Sequence, residues 1–300
     1  MKKWLVITGP TASGKTRLAV HAAHRIGGEV ISIDSRQVYR GMNIGTGKDL
    51  DEYIIGDRRI PVHLVDIREP GEDYHVAAFQ KDFEEAILDL EKRDITPVLC
   101  GGSGLYLEAV LEGHHFTKVP VNESFRKSCD GQSINMLRKK LKEGSPLPYP
   151  VDLKSKKRII RALEIQRYLE ENPLANKAAK KDNAEVFILG LPREIRRERI
   201  STRLKERFSR GMLEEVQKLR TEISDDQLIR YGLEYKWITY YLKGDLTYEE
   251  MYNKLETEIH RFSKRQMTWF RRLERKRSDV HWIDATLPVE TQLNQLLNYY

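Results

Sequence analysis

Gly9-Pro10-Thr11-Ala12-Ser13-Gly14-Lys15-Thr16 follows the apolar run Trp4-Leu5-Val6-Ile7. Leu18, Ala22 and Ile26 recur after it at helical spacing, with Ala19 and Ala23 beside them. The stretch is therefore a Gly-x-x-x-x-Gly-Lys-Thr loop between a buried strand and a helix, the setting in which this pattern cradles an oligophosphate. Backbone N–H groups of the loop and of the helix N-terminus converge on anionic oxygens there. Lys15 adds a point charge, and the Thr16 hydroxyl is placed to hold Mg²⁺. Gly27 is expected to stop the helix. The loop implies phosphate; it does not say whether a phosphoryl group is transferred.

Outward from the loop, strand and helix alternate. Residues 29–35, 61–67 and 95–100 read as strands, and Val76, Phe79, Phe83, Ala86, Ile87 and Leu90 mark one face of a helix. Another helix starts near Leu105, after Gly101-Gly102-Ser103-Gly104. The alternation predicts an α/β fold: a P-loop NTPase-like parallel sheet flanked by helices. Asp34, Ser35 and Ser103 fall at the strand carboxyl ends, where such sheets bind ligands. Residues 114–183 carry turn signals and helical pieces but no convincing strand, and read as a mostly helical insert between core segments 1–113 and 184–300. His114-His115 reads as loop within it. Residues 185–191 return to strand, and 280–283 offer a last one. Arg199, Arg203 and Arg207 form a stripe beside Ile200, Leu204 and Phe208. Thr247-x-x-Glu250 opens a long helix with Met251, Leu255, Ile259 and Phe262 on one face.

The chain has 300 residues, 40% apolar and 32% charged, with a net charge of +7. A polyanionic partner suits that excess. The excess is concentrated: residues 154–210 hold 17 Lys/Arg against 8 Asp/Glu, and residues 261–277 hold 8 against 1. The rest is acidic on balance, so a basic face is expected. Cys100 and Cys129 have neither metal spacing nor a disulfide framework. No stretch is long enough for a signal peptide or a membrane span, so a soluble cytoplasmic protein, taken to be a monomer, is expected.

A carboxylate beside a phosphate loop can hold Mg²⁺ or take a proton from an incoming nucleophile. Asp34 occupies that place; the plainer alternative is that Asp34-Ser35 caps the next turn. Asp225-Asp226 is isolated and reads as turn chemistry. The loop together with Asp34-Ser35-x-Gln37-x-Tyr39-Arg40-Gly41-Met42, Ile44-Gly45-Thr46 and His63-Leu64-Val65-Asp66-Ile67 resembles the bacterial tRNA dimethylallyltransferases, also called tRNA isopentenyltransferases. So do Gly101-Gly102-Ser103-Gly104-Leu105-Tyr106, Arg158-Ile159-Ile160-Arg161-Ala162-Leu163-Glu164 and Lys264-Arg265-Gln266-x-Thr268-Trp269, in the family's order over nearly the whole chain.

The resemblance implies transfer of a dimethylallyl group from its diphosphate to N6 of the adenine 3′ of the anticodon in tRNA. It implies Asp34 as the base, and Gly9, Pro10, Thr11, Ala12, Ser13, Gly14, Lys15, Thr16 and Arg207 around the diphosphate, with Mg²⁺ on Thr16. It also implies that Asp34, Ser35, Arg36, Gln37, Ser103, Arg126, Lys157, Arg158 and Arg161 meet the anticodon stem-loop. Lys154, Arg158 and Arg161 would share one helical face, as phosphate contacts need. The chain departs from the family in one block, with Glu234-Tyr235-Lys236-Trp237 where Gly-Tyr-Lys/Arg-Gln is usual. Trp237 is expected in a core. A prenyl transferase for free adenine nucleotides, a P-loop small-molecule kinase and a non-catalytic RNA-binding adaptor are the alternatives.

Overall fold

Trp4–Thr8 forms β1, buried along its whole length. Its alternate residues enter different cores. Trp4 and Val6 join one hydrophobic cluster, Leu5 and Ile7 another, so the strand is covered on both faces. The computed structural model describes residues 2–113, 116, 119–147, 149, 151–172 and 183–300. His114, His115, Pro148 and Pro150 lie outside the described residues. The chain divides into two compact units, Met1–Leu111 with Asp182–Tyr300, and Glu112–Lys181.

In the larger unit β1 is joined by β2 (Glu29–Ser32), β5 (Val62–His63), β6 (Pro97–Gly101), β7 (Ala184–Gly190) and β8 (Val280–Asp284). The sheet order is β5-β2-β6-β1-β7-β8, and every pairing is parallel. A short antiparallel pair, β3 (Ile54–Ile55) with β4 (Arg58–Arg59), stands apart. From β1 the chain runs outward to β2 and β5, returns to β6, then crosses β1 to reach β7. That reversal opens a crevice at the carboxyl ends of β1 and β6.

Helix α1 (Lys15–Ile26) and α12 (Val289–Leu297) cover one face, and α2 (Val76–Lys92), α3 (Gly104–Glu112) and α11 (Tyr248–Lys276) the other. Leu18, Ala19, Ala22 and Ala23 are buried, and α1 ends at Gly27 with φ 66°, as the sequence predicts. A third cluster is helical. It packs α7 (Arg193–Ser209), α8 (Met212–Leu219), α9 (Asp225–Arg230) and α10 (Leu233–Leu242) with α11 against Val38, Tyr39 and Met42. Thr247 and Glu250 form the expected capping box. Phe262 does not sit on the buried face of α11: it is exposed, and Ser263 and Gln266 are buried there instead. Asp225-Asp226 is not a turn either. It opens α9 behind the N-cap Ser224, where carboxylates oppose the helix dipole.

The smaller unit packs α4 (Glu123–Asp130), α5 (Ile134–Glu143) and α6 (Lys156–Glu171) around Cys129, Leu137, Ile159, Ile160 and Leu163. Each helix is opened by a polar N-cap, Asn122, Ser133 and Ser155 in turn. Its described residues contain no strand. Lys154 precedes α6, so it does not share a helical face with Arg158 and Arg161.

Candidate active site

The Gly9–Thr16 loop leaves β1 and turns into α1. Ala12 and Gly14 both take positive φ, 62° and 82°. Gly14 is the N-cap of α1 and brings no capping side chain, so the first helical N–H groups stay free for an anion. Gly9 has no room for a side chain: a Cβ would lie 2.8 Å from Ser13 Oγ and 3.1 Å from Leu189 Cβ. Ser13 Oγ is buried with no hydrogen-bond partner among the described residues.

Gln266 ties the loop to the neighbouring strand. Its Oε1 accepts from the Thr11 N–H at 2.9 Å, and its Nε2 donates to the Gly102 carbonyl at 3.0 Å. Gly102 lets this happen, since a Cβ there would come 2.8 Å from Gln266 Nε2. Sequence reasoning placed Gln266 in a family block but gave it no task. The available signal was an amide inside an otherwise apolar helical face.

Burial pushes the Lys15 ammonium below its ordinary pKa, and Arg203 adds to this, while Cys100, Asp34 and Glu52 oppose it. Cys100, near the end of β6, is pushed up by burial to about 12, with Lys15 opposing this, and stays a thiol. Asp34 follows β2. Its Oδ1 accepts from the Arg36 N–H at 2.8 Å, the turn-capping role, while no partner for Oδ2 is found among the described residues. Ser35 and Arg36 are half-buried beside it. Gln37 is committed to the protein: Oε1 accepts from Ser32 Oγ at 2.9 Å and Nε2 donates to the Gly47 carbonyl at 3.1 Å. Ser103, half-buried after β6, caps α3 with its carbonyl, accepting from the Leu107 N–H at 3.0 Å.

The segment after Asp34 is anchored twice. Buried Lys48 donates to Asp66, to the Tyr39 carbonyl and, at 3.0 Å, to Asn43 Oδ1. Glu215 accepts the N–H groups of Asn43, Ile44 and Gly45 at 2.8, 2.7 and 2.9 Å, and the Tyr235 hydroxyl at 2.8 Å.

Two arginines of α7 close the site. Arg203 pairs with Asp49. Arg207, 9% exposed, donates to Glu234 Oε1 at 3.3 Å, and its Nη2 lies against Gly47. Burial and the Arg203 charge push Arg207 down to about 10, against Glu234 and Asp49. Burial likewise raises the Glu234 carboxyl, with Arg207 opposing it. Arg210 lies 3.7 Å from Asp49, rather than pairing with Glu206 as an isolated helix would suggest.

A family model described as IPP transferase matches residues 37–273. The tRNA dimethylallyltransferase 1 of Porphyromonas gingivalis is 48% identical over 297 residues, covering 99% of this chain and 98% of that one. The chain belongs to the IPP transferase family. The tRNA dimethylallyltransferase 2 of a Bacteroides fragilis strain is 47% identical over 291 residues, 97% of this chain and 95% of its own. Among solved structures, the tRNA isopentenylpyrophosphate transferase of Bacillus halodurans superposes with a TM-score of 0.72 at 31% identity, over 100% of this chain and 95% of that one. A eukaryotic dimethylallyltransferase acting on tRNA shares the fold, with a TM-score of 0.78 at 23% identity over 95% and 74% of the two chains.

The helical unit of this IPP transferase holds the other predicted contacts. Arg126 donates to Glu164 through Nε at 3.2 Å and Nη2 at 3.0 Å. Arg161 donates to the same carboxylate and, at 2.7 Å, to the Val119 carbonyl. Glu164 is buried, which alone would raise its pKa. Hydrogen bonds from Arg126, the Asn122 N–H and Arg161 outweigh burial and hold it below the ordinary value. Arg158 is exposed and pairs with Asp152 at 2.8 Å. Lys157 is exposed, with no partner among the described residues. Trp237 is partly buried against the third core, with the ammonium of Lys236 4.6 Å from its ring centre.

The donor set fits one Mg²⁺ held in company with a diphosphate. Among the described residues no three or more His, Cys, Asp and Glu side chains gather as a metal site. Mg²⁺ needs no such cage when phosphate oxygens and waters supply most ligands. Among the described residues no helix is long and apolar enough to cross a membrane.

Proposed function

We propose that this protein transfers a dimethylallyl group from dimethylallyl diphosphate to N6 of the adenine 3′ of the anticodon in tRNA, releasing diphosphate. The observation carrying this reading is the pairing of a phosphate loop with a carboxylate that keeps one oxygen unbonded. Lys15 and the loop amides neutralise the diphosphate, and Asp34 Oδ2 is available as a base. No kinase chemistry is needed to explain the pair.

The nucleophile is an aromatic amine whose lone pair is delocalised, so it must be positioned and deprotonated. The N6 lone pair attacks C1 of the dimethylallyl group, the C1–oxygen bond breaks, and its electrons leave with the diphosphate. The N6 proton passes to Asp34. Gly9 to Thr16, with Lys15 and Arg207, hold the leaving group where its charge grows. Thr16 would hold Mg²⁺, which supplies further charge neutralisation on the diphosphate oxygens.

The target base must leave its stack to reach the carboxylate, which an anticodon loop permits cheaply. Ser35, Arg36 and Ser103 are assigned to RNA beside Asp34. Gln37 is assigned there too, although its amide already braces β2 against Gly47. In the helical unit the assigned cations Lys157 and Arg158 are exposed. Arg126 and Arg161 would meet RNA only while holding Glu164.

The test mixes protein, Mg²⁺, dimethylallyl diphosphate and unmodified tRNA bearing adenine 3′ of the anticodon, with AMP and ATP as parallel acceptors. Mass spectrometry of digested RNA is expected to find one added C₅H₈ unit on that adenine. Transfer only to a free nucleotide makes it a nucleotide prenyl transferase. No transfer at all, with phosphate passing from ATP to a small molecule, makes it a kinase.

A further inference from the structure

The Arg207 guanidinium is held at one corner. Nη1 donates to Glu234 Oε1 at 3.3 Å. Nη2 lies against Gly47, which has no side chain to block it. Nε is buried and has no hydrogen-bond partner among the described residues. Nε and Nη2 together make the side-on fork that grips a phosphate through two parallel hydrogen bonds. Glu234 thus bonds the one nitrogen outside that fork. Arg203, one turn earlier, pairs with Asp49.

Glu234 stands where the family pattern has glycine, so nothing in the backbone of α10 demands a carboxylate. An anionic side chain beside an anionic substrate is a poor choice unless it does something else. We propose that Glu234 is a positioning residue, which holds Arg207 by its Nη1 corner and leaves the Nε–Nη2 fork unclaimed for the phosphoryl oxygens of the diphosphate. This role presupposes the diphosphate site proposed above. Glutamate is suited to it because its carboxylate accepts at the Nη1 corner and its charge keeps Arg207 balanced when no ligand is bound.

The experiment measures the Kd for inorganic pyrophosphate with Mg²⁺ by titration calorimetry, and KM for both substrates. The proteins are wild type, Glu234→Gln, Glu234→Ala, Arg207→Ala and the Glu234→Ala/Arg207→Ala double variant. Glu234→Ala is expected to weaken pyrophosphate and raise KM for dimethylallyl diphosphate ~10-fold, within the span of coupled neighbours. KM for tRNA stays put. Glu234→Gln keeps an acceptor at the corner and stays within about threefold of wild type, the size of a lost partial charge interaction. Once Arg207 is alanine, Glu234→Ala costs nothing more.

Losses that multiply in the double variant would overturn the role. So would tighter pyrophosphate binding in Glu234→Ala, which would make the carboxylate a mere repulsive charge, or a change confined to KM for tRNA. Should Glu234→Ala not fold by circular dichroism, Glu234→Gln decides: near-wild-type affinity supports positioning, and a severalfold change in either direction overturns it. A wild type that neither binds pyrophosphate nor transfers the prenyl group overturns both readings. One that does both while the losses multiply overturns only the role of Glu234.

Discussion

Two pairs of arginines stand in opposite situations. In the helical unit, Arg126 and Arg161 converge on one buried carboxylate, Glu164, and backbone carbonyls accept from what is left of Arg161. In the larger unit, Arg203 and Arg207 lie one turn apart on α7, and each has a single acidic partner in hydrogen-bond contact. Arg207 keeps a buried Nε without a hydrogen-bond partner among the described residues. In the sequence all four read alike, as cations within charged helices. Two cations gathered on one buried carboxylate hold a fold together, whereas a buried cation with a donor to spare is arranged for something that arrives later.

The comparison breaks or sharpens at specific residues. The largest effect is expected at Asp34, the proposed base. Asp34→Ala should slow single-turnover transfer ~10²–10⁴-fold and leave tRNA affinity unchanged in filter binding. An unchanged rate would strip the site of its base and leave Asp34 as a turn cap.

Next comes Glu164→Ala, which strands two arginines. The arginines left behind are roughly a third exposed, so the loss is that of charged hydrogen bonds, about 1.5–3 kcal/mol. Hydrogen exchange should show it as faster opening of α4 and α6, with amides of the parallel sheet unmoved. The same carboxylate sets a pH limit. Because its pKa is held below the unfolded value, its contribution is complete above about pH 4.3 and is lost as pH falls through the folded value. Glu164→Gln should remove that acid-induced loss in α4 and α6. Equal acid sensitivity in both proteins would move the pH limit elsewhere.

A smaller effect is expected at Gln266. Gln266→Ala leaves the Thr11 N–H and the Gly102 carbonyl without their bridge, a loss of about 1–3 kcal/mol of loop order. Steady-state kinetics should show a raised KM for dimethylallyl diphosphate and an unchanged KM for tRNA. The smallest belongs to Arg158, exposed and singly paired. Arg158→Ala should weaken tRNA modestly and reduce the salt slope of binding by ~1. An unchanged slope would make it ordinary surface.

Much of this was legible because local rules and tertiary context agree. The phosphate loop, the β1 and α1 patterns and the Gly27 stop are local features, and each appears where its residues indicate. The β3–β4 pair was not legible, since two residues per strand leave no periodicity to detect. Phe262 is misplaced by its spacing, and Gln266 goes unmarked, for a different reason. A helix of 29 residues turns its buried face as it passes from the helical core to the sheet, so the stripe that begins at Met251 does not continue through Phe262. The commitments of Arg126, Arg161 and Gln37 depend on partners distant in sequence or across a turn. A lone side chain does not say whether its donors are already used.

Gln266 has a consequence in time. Its partner Thr11 lies 255 residues earlier in the chain. At synthesis rates of ~5–20 residues per second, the clasp leaves the ribosome roughly 10–50 s after the loop it secures. A nascent chain thus carries a phosphate cradle for much of its own birth without the amide that finishes it. Unfinished copies of the enzyme are poorly armed by construction, and competence arrives as a late step of translation rather than as a property of the loop.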